Sequence, residues 1–223
     1  MKKLMVIDGL DGCGKSTQLA LLEKHLDTSE IPYKQISFPD YEQPSSALVK
    51  MYLNGDLGGS ASAVNAYAAS SFYAVDRYAS YTRFWREEYE RGTPIIAARY
   101  VTSNAIHQMT KLPKSEWDTF LEWLEDYEYN KLGLPRPNSV VFLDMPIEVS
   151  QRLMEQRYDG DNTKKDIHER DLSYLHQCRD AALYVADKKG WTVLPCSDGE
   201  FPLPIETIHQ SLLAVFEDMM SND

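Results

Sequence analysis

Short apolar runs alternate with long amphipathic stretches along the chain. Five continuous apolar runs predict strands at residues 4–8, 33–38, 94–98, 139–143 and 191–195. Helical spacing of apolar positions predicts helices at 16–27, 46–53, 61–90, 102–110, 115–131, 147–156, 167–188 and 205–219. Apolar strands separated by helices indicate a parallel sheet covered on both faces. The predicted fold class is therefore α/β, a doubly wound five-stranded parallel sheet flanked by helices.

The composition of the chain limits how many domains it can form, which partners it can bind and in which cellular compartment it is expected. The 223 residues, 43% of them hydrophobic and 26% charged, suit a single globular domain spanning 1–223. A net charge of −11 argues against a nucleic-acid partner or an anionic membrane surface. Three scattered cysteines fit a reducing compartment, and no apolar run approaches the length of a membrane span. We therefore expect a cytoplasmic protein without membrane or nucleic-acid binding.

The strongest chemical signal is the run GLDGCGKS at residues 9–16. It fits the phosphate-binding loop pattern G-x-x-x-x-G-K-[ST], with an apolar strand before it and a helical pattern after it. In such a loop the backbone N–H groups and the helix N-terminus hold phosphates, so the fold is predicted to be a P-loop NTPase that binds ATP. Lys15 is the predicted catalytic cation on the transferred phosphate, and Ser16 the predicted Mg²⁺ ligand. The predicted ATP-binding residues are Gly9, Leu10, Asp11, Gly12, Cys13, Gly14, Lys15, Ser16 and Thr17.

Several further stretches point to one family. The sequence has VIDGLDGCGKSTQ at 6–18, FPDY at 38–41, YLNG at 52–55, YAVDR at 73–77, ARYVTSNAIH at 98–107 and VFLDMPIEV at 141–149. Together they cover nearly the whole chain, and the chain resembles the bacterial thymidylate kinases. The resemblance implies ATP-dependent phosphorylation of dTMP to dTDP with Mg²⁺. It also implies a homodimer formed through the helices after the second and third strands.

The residues that would bind the acceptor nucleotide are spread over three of these stretches. Tyr73 and Arg77 are four apart on a predicted helix and share a face, so an aromatic ring could stack on the base while the arginine holds the phosphate. The resemblance places Arg99 on the acceptor phosphate and Asp11 near the acceptor, where it could position the sugar or a metal-bound water. Both are predicted catalytic residues. The resemblance places Ser103 and Asn104 at the thymine edge. The remaining predicted substrate-binding residues are Phe38, Tyr41, His107, which stands where the family usually has an aromatic residue, and Gln108.

The polar segment YDGDNTKK at 158–165 lies between two helical patterns and reads as a surface loop. By resemblance, a small lid at about 157–166 closes over ATP. Some family members carry a catalytic arginine in the phosphate loop at the position of Gly12, and others carry it in the lid. Glycine here implies the lid type, with Arg157 as the predicted catalytic residue; Arg152, Lys164 and Lys165 are the other cations of this region.

Three other functions stay open from the sequence. The acceptor could be dUMP, dCMP or a deoxynucleoside. The run NKLG at 130–133 starts like the N-K-x-D motif of GTPase-like switches, but Gly133 replaces the aspartate. A nucleotide-binding protein without catalysis is the third alternative, because Ala98 replaces the family's metal-holding aspartate. We expect Ser16, the ATP phosphates and waters to hold Mg²⁺ here, near Asp11.

Overall fold

The computed structural model describes residues 2–60, 63–157 and 172–221, with the backbone alone at 156 and 157. Its five strands are β1 (Leu4–Gly9), β2 (Lys34–Ser37), β3 (Ile95–Ala98), β4 (Ser139–Asp144) and β5 (Thr192–Pro195). They form one parallel sheet in the order β2-β3-β1-β4-β5. The predicted fold class is confirmed, and each strand end falls within one residue of its prediction.

The central strand β1 shows why the apolar runs form this sheet. Successive side chains of a strand point to opposite faces, so a strand covered on both faces must be apolar throughout. Leu4 and Val6 pack into the hydrophobic cluster on one face, and Met5 and Ile7 pack into the cluster on the other. All four side chains are fully buried, which places the centre of the sheet in the core of the protein.

Nine helices are found within the described residues: α1 (Lys15–Thr28), α2 (Ala47–Leu53), α3 (Ala66–Ser80), α4 (Arg86–Glu90), α5 (Val101–His107), α6 (Trp117–Glu125), α7 (Ile147–Arg157), α8 (Leu172–Lys189) and α9 (Ile205–Ser221). Helices α3, α5, α6 and α8 contribute to the cluster on the Leu4 face, and α1, α7 and α9 to the cluster on the Met5 face. The sheet is therefore covered by helices on both sides.

The helix predictions need three corrections. The helix predicted from residue 61 begins at Ala66, because the Asn65 side chain accepts a hydrogen bond from the Ala68 N–H and caps the first turn. The structure also shows π-helical segments at Tyr81–Trp85, between α3 and α4, and at Asp126–Lys131, after α6. The helix predicted at 102–110 ends at His107, and a 3-10 turn follows at Met109–Lys111. The predicted start of the helix at 167 and the predicted loop at 158–165 lie outside the described residues.

The parallel sheet collects the predicted functional stretches at one edge. The phosphate loop follows β1, the 38–41 stretch follows β2, and Arg99 follows β3. Ligands of open α/β sheets bind outside the carboxyl ends of the strands, which is this edge. None of the helices in the described ranges is both long enough and apolar enough to cross a membrane.

Candidate active site

A cavity of about 490 Å³ opens at the carboxyl edge of the sheet. It joins the phosphate loop to the ends of β2 and β3 and to helices α3 and α5. The structure thus brings together most of the predicted site residues. Those that line the cavity are Asp11, Lys15, Ser16, Phe38, Tyr41, Tyr73, Arg77, Arg99, Ser103, Asn104, His107 and Gln108.

The phosphate loop is shaped by glycines with positive φ. Gly14 (φ 88°) is the residue before α1, so the loop leads directly into the helix N-terminus. Gly12 (φ 80°) lies against α7: a Cβ at this position would come within 2.7 Å of the Ser150 carbonyl oxygen and 3.0 Å of the Met154 Cγ. Both the backbone conformation and the space therefore exclude a side chain at Gly12 unless α7 moves.

Lys15 and Ser16 are the first two residues of α1, and both line the cavity. The Lys15 ammonium donates to the Gly9 carbonyl oxygen (2.8 Å), within the loop itself. Ser16 is exposed, with its side chain on the cavity, and Thr17 is exposed beside it. Leu10 and Cys13 are buried, and each joins a hydrophobic cluster. The Cys13 N–H donates to the Leu10 carbonyl oxygen (3.3 Å) within the loop.

Arg99 is held by two acidic residues and a histidine. It has φ 63°, a conformation that costs energy for a residue with a Cβ. Its NH2 group donates to Asp11 Oδ1 (2.5 Å), its NH1 group lies 3.2 Å from His107 Nε2, and Asp8 Oδ1 is 3.7 Å away. Burial favours the neutral form of Asp11, but the positive charges of Arg99 and Lys15 outweigh it and hold the pKa of that carboxyl well below its usual range. An ionised Asp11 thus fixes the guanidinium at the cavity.

Asp8 is a site residue that the sequence analysis missed. Its side chain is fully buried at the end of β1. It accepts hydrogen bonds from the Gly9 N–H (2.8 Å), Thr102 Oγ1 (2.6 Å) and Ser103 Oγ (2.7 Å). Asp8 therefore connects the phosphate loop to the start of α5. The Ser103 hydroxyl, which was predicted to contact the edge of thymine, thus donates its hydrogen bond to Asp8. An acidic residue at the end of an otherwise apolar strand was the available signal.

A second buried acid, Glu128, connects Arg77 and Asn104. Arg77 donates from Nε to Glu128 Oε2 (2.7 Å) and from NH2 to Glu128 Oε1 (2.6 Å). Asn104 Nδ2 donates to the same Oε1 (2.9 Å) and to the Ser70 carbonyl oxygen (3.1 Å). The side chains of Arg77 and Glu128 are 1% and 0% exposed, and Asn104 is buried as well. This cluster is separate from the Arg99–Asp11 pair, so the site has two polar ends.

Aromatic residues and an amide complete the cavity wall. Tyr73 is partly buried and meets Tyr52 edge-on, with ring centroids 6.5 Å apart. Phe38 is buried at the end of β2, and Tyr41 is exposed. Gln108 is buried, and its Oε1 has no hydrogen-bond partner among the described residues. A buried amide oxygen without a partner is unfavourable, so a ligand hydroxyl or N–H group that reached it would be stabilised.

The residues around Ser16 fit Mg²⁺ through few protein ligands. The described part of the chain has no group of three or more His, Cys, Asp or Glu side chains that could form a metal cage. Ala98, where the resemblance implied an aspartate, lines the cavity. Mg²⁺ needs one or two protein oxygens beside substrate phosphates and water, and Ser16 and Asp11 provide such oxygens here. The Arg157 side chain and the predicted lid at 158–166 lie outside the described residues, so their roles stay predictions.

The residues of the possible guanine-binding motif, Asn130 and Lys131, lie away from this cavity. Asn130 and Lys131 lie on the surface, in the π-helical segment after α6. Asn130 Nδ2 donates to Asp126 Oδ1 (3.0 Å), and the Lys131 ammonium is 3.5 Å from Asp126 Oδ2. Neither residue lines the cavity, so the N-K pair does not form a base-binding motif.

A family model described as thymidylate kinase matches residues 7–211. The chain belongs to the thymidylate kinase family. A thymidylate kinase of Mycobacterium tuberculosis is 29% identical over 192 residues, which cover 84% of this chain and 87% of that protein. A probable thymidylate kinase of Methanococcus maripaludis is 25% identical over 228 residues, covering 99% and 94%. The structure of Candida albicans thymidylate kinase covers 99% of this chain and 95% of its own, with 20% identity and a TM-score of 0.72, which supports the fold.

Proposed function

We propose that this protein transfers the γ-phosphoryl group of ATP to dTMP, giving ADP and dTDP. The observation that carries the proposal is a cavity that is shared by the phosphate loop, Arg99 and the Arg77–Asn104 cluster. The bond from the γ-phosphorus to the β-phosphate oxygen breaks, and a bond to a phosphate oxygen of dTMP forms. A nucleoside monophosphate is mostly dianionic at pH 7, since its second pKa is about 6, so the acceptor needs no general base.

The protein's part in this reaction is alignment and charge neutralisation. Lys15 would leave the Gly9 carbonyl oxygen and contact the transferred phosphate. Arg99 would hold the acceptor phosphate in line, because Asp11 and His107 fix its guanidinium at the cavity. Ser16 and Asp11 would hold Mg²⁺, whose charge neutralises the phosphates of ATP. Arg157, as the lid cation, remains part of this proposal.

The contacts of Arg77 change the role that we propose for it. The sequence analysis assigned it to the acceptor phosphate. In the structure, one oxygen of Glu128 accepts from both Arg77 and Asn104, so these two side chains are neighbours. Asn104 is the predicted thymine reader. We therefore propose that Arg77 also contacts the base, with Tyr73 stacked on it, and that Arg99 is the protein's contact to the acceptor phosphate.

Two proposals concern the protein as a whole. A homodimer is supported by large apolar side chains that are exposed on α2 and on the long helix around α3: Leu48, Met51, Val75, Tyr78 and Phe84. Light scattering on the purified protein would give twice the chain mass. A cytoplasmic location is supported by the three cysteines, which are all free thiols.

The test is a coupled assay with ATP and each nucleoside monophosphate in turn. We expect dTMP to be the preferred acceptor and ATP turnover without an acceptor to be negligible. Lys15→Met should lose at least a hundredfold in turnover, about 2.7 kcal/mol of transition-state stabilisation, because its ammonium contacts the transferred group. The matched control is Lys24→Met, an exposed lysine on the same helix, which should stay within twofold of wild type.

Two results would contradict the proposal. Turnover by Lys15→Met within tenfold of wild type would exclude the phosphate-loop mechanism. Equal ATP hydrolysis with and without any acceptor would indicate a switch-type NTPase instead of a kinase.

A further inference from the structure

Glu128 is a buried carboxylate that faces the base end of the cavity without lining it. It lies in the π-helical segment Asp126–Lys131, and π-helical turns often occur at functional sites. Its side chain has no exposed surface, and three hydrogen bonds reach it from Arg77 and Asn104. Two of these hydrogen bonds form the ion pair with Arg77. The third comes from Asn104, which lines the cavity, so the carboxylate also contacts a residue of the site.

The partners of Asn104 fix the direction of its amide. A carboxylate and a backbone carbonyl can accept hydrogen bonds but cannot donate them. Glu128 Oε1 and the Ser70 carbonyl oxygen therefore both require the NH₂ group of Asn104, at 2.9 Å and 3.1 Å. A flipped amide would place Oδ1 against two acceptors. Both amide hydrogens are thus used, and Oδ1 is the polar atom that Asn104 keeps for a ligand.

We propose that Glu128 is a positioning residue that sets the base specificity of the acceptor site. It does so by holding Asn104 with its oxygen available and Arg77 with its remaining N–H groups available. The site then offers Asn104 Oδ1 as a hydrogen-bond acceptor beside the N–H donors of Arg77. This arrangement complements thymine, whose N3–H donates and whose O4 accepts. Cytosine has the opposite pattern, because its N3 accepts and its exocyclic NH₂ group donates. An acceptor would then face an acceptor and a donor would face a donor, so neither hydrogen bond would form. This inference rests on the proposed function.

The test compares dTMP with dCMP for wild type and two glutamate variants. Glu128→Gln keeps the shape but has one acceptor oxygen. In either orientation its NH₂ group faces an N–H group of Arg77, and in one of the two it also faces the NH₂ group of Asn104. Glu125→Gln is the matched control, since Glu125 lies one turn earlier and pairs with Lys189 (2.6 Å) and Arg136 (3.2 Å), away from the cavity. Dissociation constants from calorimetry and kcat/KM from the coupled assay are measured for both nucleotides.

Wild type should prefer dTMP over dCMP by at least a hundredfold in both measurements. Glu128→Gln should lower this ratio tenfold or more, and Glu125→Gln should leave it within twofold. Glu128→Asp is a second variant that keeps a buried negative charge opposite Arg77 but has a side chain that is one methylene shorter. It should also lower the ratio, because the carboxylate cannot reach both partners.

The ratio separates positioning from a merely structural role. If the Glu128 variants weaken the binding of dTMP and dCMP by the same factor, Glu128 only stabilises the fold, and the inference is wrong. A wild-type protein that binds dCMP as well as dTMP also overturns it. Failure of the proposed function gives a different result: wild type then phosphorylates no monophosphate, while the ratio of dissociation constants still decides on Glu128.

Discussion

The buried ion pair between Arg77 and Glu128 leads to a prediction about stability that can be worked out from its burial. Both side chains are excluded from solvent, and two hydrogen bonds of 2.7 Å and 2.6 Å join them. Arg77→Met keeps an unbranched apolar stem but leaves the Glu128 carboxylate buried without its counter-ion. Removing one partner of such a pair costs about 3–5 kcal/mol. A loss of this size would consume much of the 5–15 kcal/mol by which domains are typically stable.

The double variant Arg77→Met/Glu128→Leu removes both charges and should recover most of this loss. Replacing a buried pair by apolar residues of similar volume is often neutral or stabilising. Urea unfolding at pH 7 measures both free energies. Arg91→Met is the control, because Arg91 and Glu87 form an exposed pair at 3.8 Å, and it should match wild type within error. The double variant should still be a poor dTMP kinase, since it lacks the base contacts.

Two results would refute this reasoning. A loss below about 1 kcal/mol in Arg77→Met would mean that water reaches the carboxylate, contrary to its burial. A double variant as unstable as the single one would show that the lost hydrogen bonds of Arg77 and Asn104, and not an unpaired charge, account for the destabilisation.

Two further predictions concern a lysine and the metal. Burial lowers the pKa of Lys111 to about 8, from 10.5 in the unfolded chain, so the unfolded state binds more protons between these values. The contribution of Lys111 to the free energy of unfolding should therefore rise with pH from about 8 to 10.5. Urea titrations of wild type and Lys111→Met isolate it as a difference that grows over this range, because the buried thiols Cys178 and Cys196, whose pKa values are raised, act in the opposite direction in both proteins. Ala98→Asp should lower the Mg²⁺ concentration that gives half the maximal rate, because it adds a carboxylate to the wall of the cavity in which Mg²⁺ is proposed to bind. A wild type that is inert at every Mg²⁺ concentration, with an active Ala98→Asp, would make this chain a nucleotide binder.

The sheet could be predicted because its strands are buried on both faces. A run such as residues 4–8 has no polar position until Asp8, which excludes an amphipathic helix and a half-exposed strand. Helix boundaries were less predictable. The start at Ala66 depends on one side-chain hydrogen bond from Asn65, and the π-helical segments keep a helix-like apolar pattern, so periodicity does not distinguish them from α-helix.

The position of a residue at the cavity was predictable where a pattern fixes the residue types, as for Lys15 and Ser16 in the phosphate loop. It was missed where a side chain acts through another one. Glu128 stands in the polar run EDYEYNK and resembles a solvated helix face. Its spacing from Leu121 and Leu124, seven and four residues earlier, places it on the buried side and was the available signal. The partner of a buried acid, however, comes from packing between distant segments, here 51 residues apart.

The close packing of Gly12 on α7 has an evolutionary consequence. Family members with an arginine at this position need room for its side chain, and here the Ser150 carbonyl oxygen occupies that room. A single substitution of Gly12 would meet the backbone of α7 before the new charge could reach a phosphate. Moving the catalytic cation into the loop therefore requires a prior shift of α7. In this chain a variant with a side chain at Gly12 and an unshifted α7 should therefore be less stable than wild type, which closes the direct route from glycine to a cation at this position.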